Sequence, residues 1–274
     1  MSNLYIFFSD MQNNMRSTDF WRIEHDFQEE ELKKFEFLYH EWILPHTYES
    51  LAKGKEVLDC GSGPGIQTRL YAEHAKHVYS VDLEAVKTTK EKTKDVSDKV
   101  TYINDDILNM NLNKKFDVVN CVGTMHHTDN PEATFINLSK HTKQGGILLI
   151  WVYGKEGNFL MNTIVEPLRK KFLNNASHNT LWSISYLTNL FIYPIVNTIY
   201  RLPLSFLPYF EYFKNYRKMS FKRNALNIYD KLNAPQQYFL SEKELRRWYS
   251  ENGFEMISCT QYMGVSWRVS GKKL

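Results

Sequence analysis

Asp59, Gly61, Gly63, Gly65, Asp82 and the Asp105-Asp106 pair are the residues whose types and spacing bear most directly on chemistry. In Glu56-Val57-Leu58-Asp59-Cys60-Gly61-Ser62-Gly63-Pro64-Gly65 an apolar, strand-like run ends on a carboxylate, and glycines at alternate positions let the backbone turn tightly against a ligand. The turn leads into Ile66 to Ala75, which reads as a helix. A strand, a glycine turn and a helix open a nucleotide-binding βαβ unit, with the ligand expected beyond the carboxyl end of the strand. A second strand, Val78 to Val81, ends at Asp82-Leu83, and Asp82 stands about twenty residues past the turn, the separation at which a carboxylate meets ribose hydroxyls. A dinucleotide fingerprint would set its third glycine where Ile66 stands, so the pattern does not call for a pyrophosphate.

With Asp59 two residues ahead of the first glycine, Asp-x-Gly-x-Gly-x-Gly resembles the first motif of the class I S-adenosylmethionine-dependent methyltransferases of the small-molecule type. The resemblance implies S-adenosyl-L-methionine as cofactor and S-adenosyl-L-homocysteine as product. It sets the amino acid end of the cofactor beside Cys60, Gly61, Gly63 and Gly65, with Asp59 helping to hold it directly or through water. Asp82 and Leu83 fall at the ribose end. After a third short strand carrying Val100, Tyr102 and Ile103, the family places an acidic residue on the adenine amine and an apolar neighbour on the ring. Counting from the strand assigns these roles to Asp106 and Ile107, with Asp105 as the alternative one residue away. A fourth strand, Phe116 to Val122, runs into Gly123-Thr124-Met125-His126-His127, similar to the family segment whose backbone, here Val122 and Gly123, flanks the cofactor while the next residues face the substrate. The resemblance covers Glu56 to Tyr153.

A sulfonium methyl is already activated, so its transfer is an in-line displacement whose rate comes from holding nucleophile and methyl close and collinear. For a hydroxyl acceptor a base helps, and histidine suits that task at neutral pH. His127 is the preferred candidate because it lies further from the strand than His126, although the family also carries histidines there without catalytic duty. Tyr153 and Asn158, just after the fifth strand, are candidates for orienting substrate, and Trp21 for capping the site. The favoured acceptor is a hydroxyl of a glycan sugar or metabolite. A quinone-like or lipid substrate at a membrane surface, or a non-catalytic cofactor-binding partner, are the alternatives.

These residues need a frame to converge on. Strand-like runs alternating with helical ones, closed by a fully apolar fifth strand at Ile147 to Tyr153, argue for an α/β, Rossmann-like doubly wound sheet. Asn130-Pro131 starts the helix ahead of that strand and Gly145-Gly146 is expected to end it. Ala85 to Thr93 reads as a lysine-rich, solvated helix. Ser241-Glu242-Lys243-Glu244 is a capping box for a late helix, followed by strand-like Phe254 to Cys259 and Val265 to Val269. By the resemblance these are strands six and seven of a seven-stranded sheet, the last antiparallel. The expected organisation is one methyltransferase domain: a helical preface or lid at 1–50, interrupted by Pro45, a cofactor-binding core at 51–153, an aromatic, mainly helical insertion at 154–240 between strands five and six, and a closing helix and hairpin at 241–274.

The insertion is too long for a plain connection. Asn179 to Tyr200 carries no charge, which raises a membrane span, but its Ser, Thr and Asn residues dilute the run and Pro194 is expected to break it. Three roles stay open for the insertion: a roof over the substrate, which is preferred, a homodimer surface, or a shallow rest on a membrane. Lys214, Arg217, Lys218, Lys222 and Arg223 form a basic run that reads as a solvated face or a phosphate contact. The net charge of +3, from 34 Lys plus Arg against 31 Asp plus Glu, is too slight and scattered for a nucleic-acid surface and leaves a small-molecule partner. Cys60, Cys121 and Cys259 lie in or beside apolar runs, which suits reduced thiols in the cytoplasm, and no Cys/His cluster has metal spacing.

Overall fold

The computed structural model describes residues 32–173, 176–234 and 236–274. In chain order the strands are β1 (Glu56–Cys60), β2 (His77–Asp82), β3 (Val100–Asn104), β4 (Phe116–Val122), β5 (Thr142–Tyr153), β6 (Phe254–Tyr262) and β7 (Ser266–Lys273). The helices are α1 (Leu32–Trp42), α2 (Tyr48–Ala52), α3 (Ile66–Ala72), α4 (Val86–Lys92), α5 (Pro131–Lys140), α6 (His178–Thr198), α7 (Phe210–Tyr216), α8 (Phe221–Asn233) and α9 (Glu242–Glu251). The chain forms two compact units: a sheet unit within His25–Asn158 and Gln236–Leu274, and a helical unit within Phe159–Pro235.

One seven-stranded sheet of order β3-β2-β1-β4-β5-β7-β6 organises the sheet unit. β1 to β5 are mutually parallel, and β7 runs antiparallel to both β5 and β6. The central strands are rich in buried apolar residues because both faces are covered. Leu58, Val119, Cys121 and Ile150 join Phe135, Trp248 and Tyr249 in one core. Val57, Val118, Val122 and Leu149 join Ile43, Leu51 and Tyr71 in the other. Alternate residues of a strand thereby serve opposite layers. Burying a side chain such as Leu58 stabilises by roughly 2 kcal/mol.

Three local expectations are corrected. α5 starts as expected, with Asn130 accepting from Ala133 N and Pro131 in the first turn, but it ends at Lys140, capped by His141. Gly145 and Gly146 lie inside β5, where the register with β4 jumps from Phe116↔Thr142 to Val118↔Ile147. Gly145 adopts φ +75°, and a Cβ on Gly146 would stand 2.9 Å from the Lys143 carbonyl, so the pair shapes a bulge and not a helix end. Pro194 does not break α6, which continues through it to Thr198. Its missing N–H removes one helical bond, while Ser185, Asn189 and Val196 are buried on either side of it and hold the helix in place. α4 is solvated on one face only: Thr88 and Thr89 are buried.

α9 starts on the expected capping box, with Ser241 and Glu244 bonded reciprocally. In the helical unit, α6 and α8 are joined by His178 Nδ1 to Tyr229 Oη (2.6 Å), and Asn189 Nδ2 donates to the Phe221 carbonyl (2.8 Å). The fully buried Arg169 is paired with Glu166 at 2.7 and 2.8 Å and also donates to the Ala234 carbonyl. Among the described residues no helix is long and apolar enough to cross a membrane.

Candidate functional site

Because β1, β2 and β3 are adjacent and parallel, their carboxyl ends lie side by side, and the sheet brings the carboxylates predicted on them to one edge. The glycine turn follows β1 directly. Gly61, Gly63 and Gly65 all take positive φ, at 75°, 50° and 81°. Gly61 is fixed by space as well, since a Cβ there would stand 2.2 Å from Thr124 Oγ1, beyond the end of β4. Gly61 N and Ser62 N donate to the Val81 carbonyl, and Gly63 N donates to Asp82 Oδ2 at 2.9 Å.

Asp82 therefore shapes the turn as well as ending β2. Its second oxygen accepts from Glu84 N and Ala85 N at 2.9 and 2.8 Å. A carboxylate offers about four acceptor positions, so one remains for a ligand hydroxyl. Beside it Leu83 is 61 % exposed, an apolar surface at the ligand edge that packing in the sheet unit does not cover. Asn104 Nδ2 donates to the Asp82 and Leu83 carbonyls, and Asp105 N donates to the Asp82 carbonyl, which ties the end of β3 to that of β2. Asp106 closes the next turn, accepting from Leu108 N and Asn109 Nδ2 at 2.9 Å each. Ile107 points into the core instead of the edge, and the apolar surface available there is that of Leu83.

Asp59 sits beneath the turn. It is 1 % exposed, and its oxygens accept from Thr68 Oγ1 at 2.7 Å and Asn120 Nδ2 at 2.9 Å. Burial pushes its carboxyl up to about 6, against the pull of Thr68 and Asn120, with the Asp82 charge adding to the rise. Asn120 also donates to Gln67 Oε1 and accepts from Tyr71 Oη, so a buried polar network supports the turn from below. Cys60 is buried in the core, and burial raises its thiol far above its ordinary value, which leaves it an inert packing group.

Gln67, Thr68 and Asn120 escaped the sequence reading, as did Thr89, whose Oγ1 donates to the Gly63 carbonyl at 2.6 Å. Thr68 lies on α3 and Thr89 on α4. Nothing in their types marks them, although a small polar residue at an apolar helix position is the signal that a network would leave.

The ends of β4 and β5 build a second wall. Gly123 takes φ +85°, and its N–H donates to the Trp151 carbonyl at 3.0 Å. Val122 is buried against Trp151 and its neighbours. Beyond the strand, Met125–His127 forms a tight turn that brings His126 within 4.1 Å of Tyr153 and 4.2 Å of His127, ring centre to ring centre. Trp151 stacks on Trp42 at 4.9 Å, and Tyr153 stacks on Phe239 at 5.9 Å. His126 is fully buried within these rings, whereas His127 is half-buried at their margin. His127 Nδ1 lies 2.9 Å from the Gln236 carbonyl, which only accepts, so Nδ1 carries the hydrogen and Nε2 is the basic nitrogen.

Asn158 stands apart from this wall. Both of its amide hydrogens go to carbonyls, of Gly154 and Val265, each at 2.6 Å, and it clamps the loop after β5 to the β6–β7 turn. Trp21 lies outside the described residues. Among the described residues no His, Cys, Asp and Glu group of metal-binding size occurs. A cavity of about 480 Å³ lined by Asn109, Lys114, Lys140 and His141 lies at the start of β4 and β5. That is the opposite edge from the one where open parallel sheets take their ligands.

Residues 35–259 match the family model described as a methyltransferase domain. A ubiquinone biosynthesis O-methyltransferase of Rickettsia canadensis is 27% identical over 176 residues, 54% of this chain and 74% of that one. One from Nitrosospira multiformis is 30% identical over 145 residues, 45% of this chain and 59% of that one, so the match spans only part of such relatives. Among solved structures, an N-methyltransferase of Bradyrhizobium japonicum in complex with S-adenosyl-L-homocysteine superposes with a TM-score of 0.50 at 12% identity, covering 87% of each chain. An O-methyltransferase family protein of Burkholderia thailandensis reaches 0.55 at 11% identity, over 92% of this chain and 60% of that one. At such identities these structures share the fold.

Proposed function

The chain belongs to the methyltransferase domain family, and from that premise we propose that it methylates a hydroxyl of a small, ring-bearing acceptor with S-adenosyl-L-methionine as donor. The observation that carries the reading is the joining of strand ends: Gly63 N on Asp82, and Asn104 and Asp105 on the Asp82 and Leu83 backbone, make one cradle from three strands.

The cradle suits the donor's parts. Gly61, Gly63 and Gly65 present a backbone without side chains to the amino acid end, and Asp82 keeps an acceptor position for a ribose hydroxyl. Leu83 offers an apolar face to the adenine and Asp106 a carboxylate at the next strand end. Val122 and Gly123 flank the donor from β4. When bound, the donor supplies an activated methyl on a sulfonium sulfur.

His127 accepts the proton of the acceptor hydroxyl at Nε2 as the oxygen attacks, while the Gln236 carbonyl holds Nδ1–H and fixes the ring's orientation. The proton then passes to water. Tyr153 stacked with Phe239, and Trp151 set edge-on to Tyr153 at 81°, give a ring-bearing acceptor an angled apolar wall and exclude solvent. Sugar rings and phenolic or quinol-like rings both pack against aromatic side chains of this kind. The O-methyltransferases among the relatives support oxygen as the acceptor atom.

Titration calorimetry with S-adenosyl-L-homocysteine tests the donor site. Micromolar binding with no response to NAD is expected, and tight NAD binding with no response to the homocysteine compound would overturn the assignment. A panel of catechols, quinols and glycosides supplied with radiolabelled donor tests the acceptor.

A further inference from the structure

We propose that the helical unit docks on an anionic lipid surface through the outer face of α6 and the stripe that precedes it. The inference stands apart from the methyl-transfer reading and uses other residues. α6 carries no Asp, Glu, Lys or Arg, and its two sides differ: Leu181, Trp182 and Val196 are buried within the unit with Ser185 and Asn189, while Leu187, Leu190, Phe191 and Ile195 are exposed at helical spacing on the other side. A surface helix normally turns its apolar stripe inward and its polar face to water, so an uncharged apolar face turned outward marks a contact surface. Phe191 is 71 % exposed together with Leu187, Leu190 and Ile195 on the same face, and in the loop that follows α6 Phe206 is 80 % exposed; grouped apolar side chains of this kind mark an interaction surface where single ones do not.

A second stripe lies ahead of α6. Leu160, Ile164, Leu168 and Phe172 recur at every fourth position through helical turns of α and π type, and all four are exposed. The wider turns of the π segments keep this four-residue spacing nearer to one face than an α-helix does.

Charge selects the occupant. Phe159–Pro235 carries ten Lys and Arg against three Asp and Glu, a net +7, while the rest of the chain, with 24 against 28, is at −4. The exposed basic residues adjoin the apolar ones: Lys171 lies 5.2 Å from the Phe172 ring centre, and Arg201 follows the end of α6. Long basic side chains reach from an apolar face to lipid phosphates. A second copy of the chain would bring +7 against +7, whereas phosphatidylglycerol-type headgroups complement it. The depth is that of an interfacial helix, because no described helix is able to span a bilayer.

The test is cosedimentation of the full chain with vesicles of phosphatidylcholine alone or mixed with phosphatidylglycerol. Binding to the mixed vesicles is expected, weakened by added salt. Leu190→Ser combined with Phe191→Ser lowers the partition coefficient tenfold or more, and Arg201→Gln lowers it roughly fivefold. Lys87→Gln combined with Lys90→Gln, on α4 of the sheet unit, leaves it unchanged. Phe191→Trp, which keeps the surface apolar, gives a second readout through quenching by brominated lipid. Absence of binding to the mixed vesicles overturns the proposal, as does binding that the serine pair leaves intact. A dimer that the serine pair dissociates, without vesicle binding, assigns the face to a second copy and overturns it equally.

Discussion

The backbone N–H of Gly63 donates to the Asp82 carboxylate at 2.9 Å, so the residue that ends β2 also fixes the shape of the turn after β1. Two parts of the donor cradle depend on one side chain. Asp82→Asn keeps the volume but replaces one acceptor oxygen with a donor and removes the charge, which sets an amide N–H against a backbone N–H. The expected outcome is a loss of about 1–3 kcal/mol in unfolding free energy and at least a tenfold weaker affinity for S-adenosyl-L-homocysteine. Denaturant titration and calorimetry read the two effects separately. Unchanged affinity would remove Asp82 from the donor site.

Gly61 is held by both φ and space, and the two causes separate. Gly61→Ala places a methyl 2.2 Å from Thr124 Oγ1 and 2.5 Å from Thr124 Cβ. A loss of about 2–4 kcal/mol is expected, from the steric overlap together with the cost of the left-handed backbone. Thr124→Gly in the same chain removes the overlap but not the backbone cost, so the double variant should recover part of the loss. Full additivity of the two substitutions in a double-mutant cycle would show that the contact does not matter.

Asp59 gives stability a pH dependence of unusual sign for a carboxylate. Its folded-state value is raised to about 6 from 3.8 by burial, so between these values the folded chain holds a proton that the unfolded chain has lost. Stability from this group is present below about pH 4 and declines as pH rises through 6, by about 3 kcal/mol in all. Asp59→Asn removes the titration, and its decline with pH over that window should be shallower than that of the parent. Urea unfolding at several pH values compares the slopes, and parallel curves would contradict the assignment. Since Thr68 and Asn120 both donate to Asp59, the new amide N–H faces one donor, and part of the gain at neutral pH is offset.

Much of the frame was legible because parallel strands buried on both faces read as apolar runs, and because Asn130-Pro131 and Ser241-x-x-Glu244 are local signals that do not depend on distant packing. Gly145-Gly146 misled because a helix end and a bulge call for the same glycines, and only the partner strand distinguishes them. Pro194 misled because propensity is weak against a helix anchored by buried residues on both sides. At the site, strand ends could be counted along the chain, but side-chain direction could not. Ile107 turns into the core, Leu83 faces out, and Asn158 turns to the loop carbonyls. Asn120 and Thr89 support the turn from elements far along the chain, which no local pattern reveals.

His127 and His126 are neighbours in sequence with different surroundings, and the difference decides which one can take a proton. His126 is fully buried among Tyr153, Trp151 and the His127 ring, so its loss removes packing. His127 is anchored at Nδ1 by the Gln236 carbonyl, which orients Nε2. His127→Gln is therefore expected to lower kcat by roughly 10²–10⁴ with a hydroxyl acceptor while leaving affinity for S-adenosyl-L-homocysteine within about twofold, because the donor cradle lies at β1 to β3. The part of the kcat/KM pH dependence that the imidazole confers should disappear with it. Free imidazole should restore part of the rate to His127→Gly, whose vacated space admits it, and a structural role for His127 would show no such rescue. His126→Leu, which keeps an apolar group in the ring cluster, should lower stability more than it lowers the rate per folded molecule. If both histidine variants lose rate in step with stability, the base lies elsewhere and positioning alone accounts for transfer.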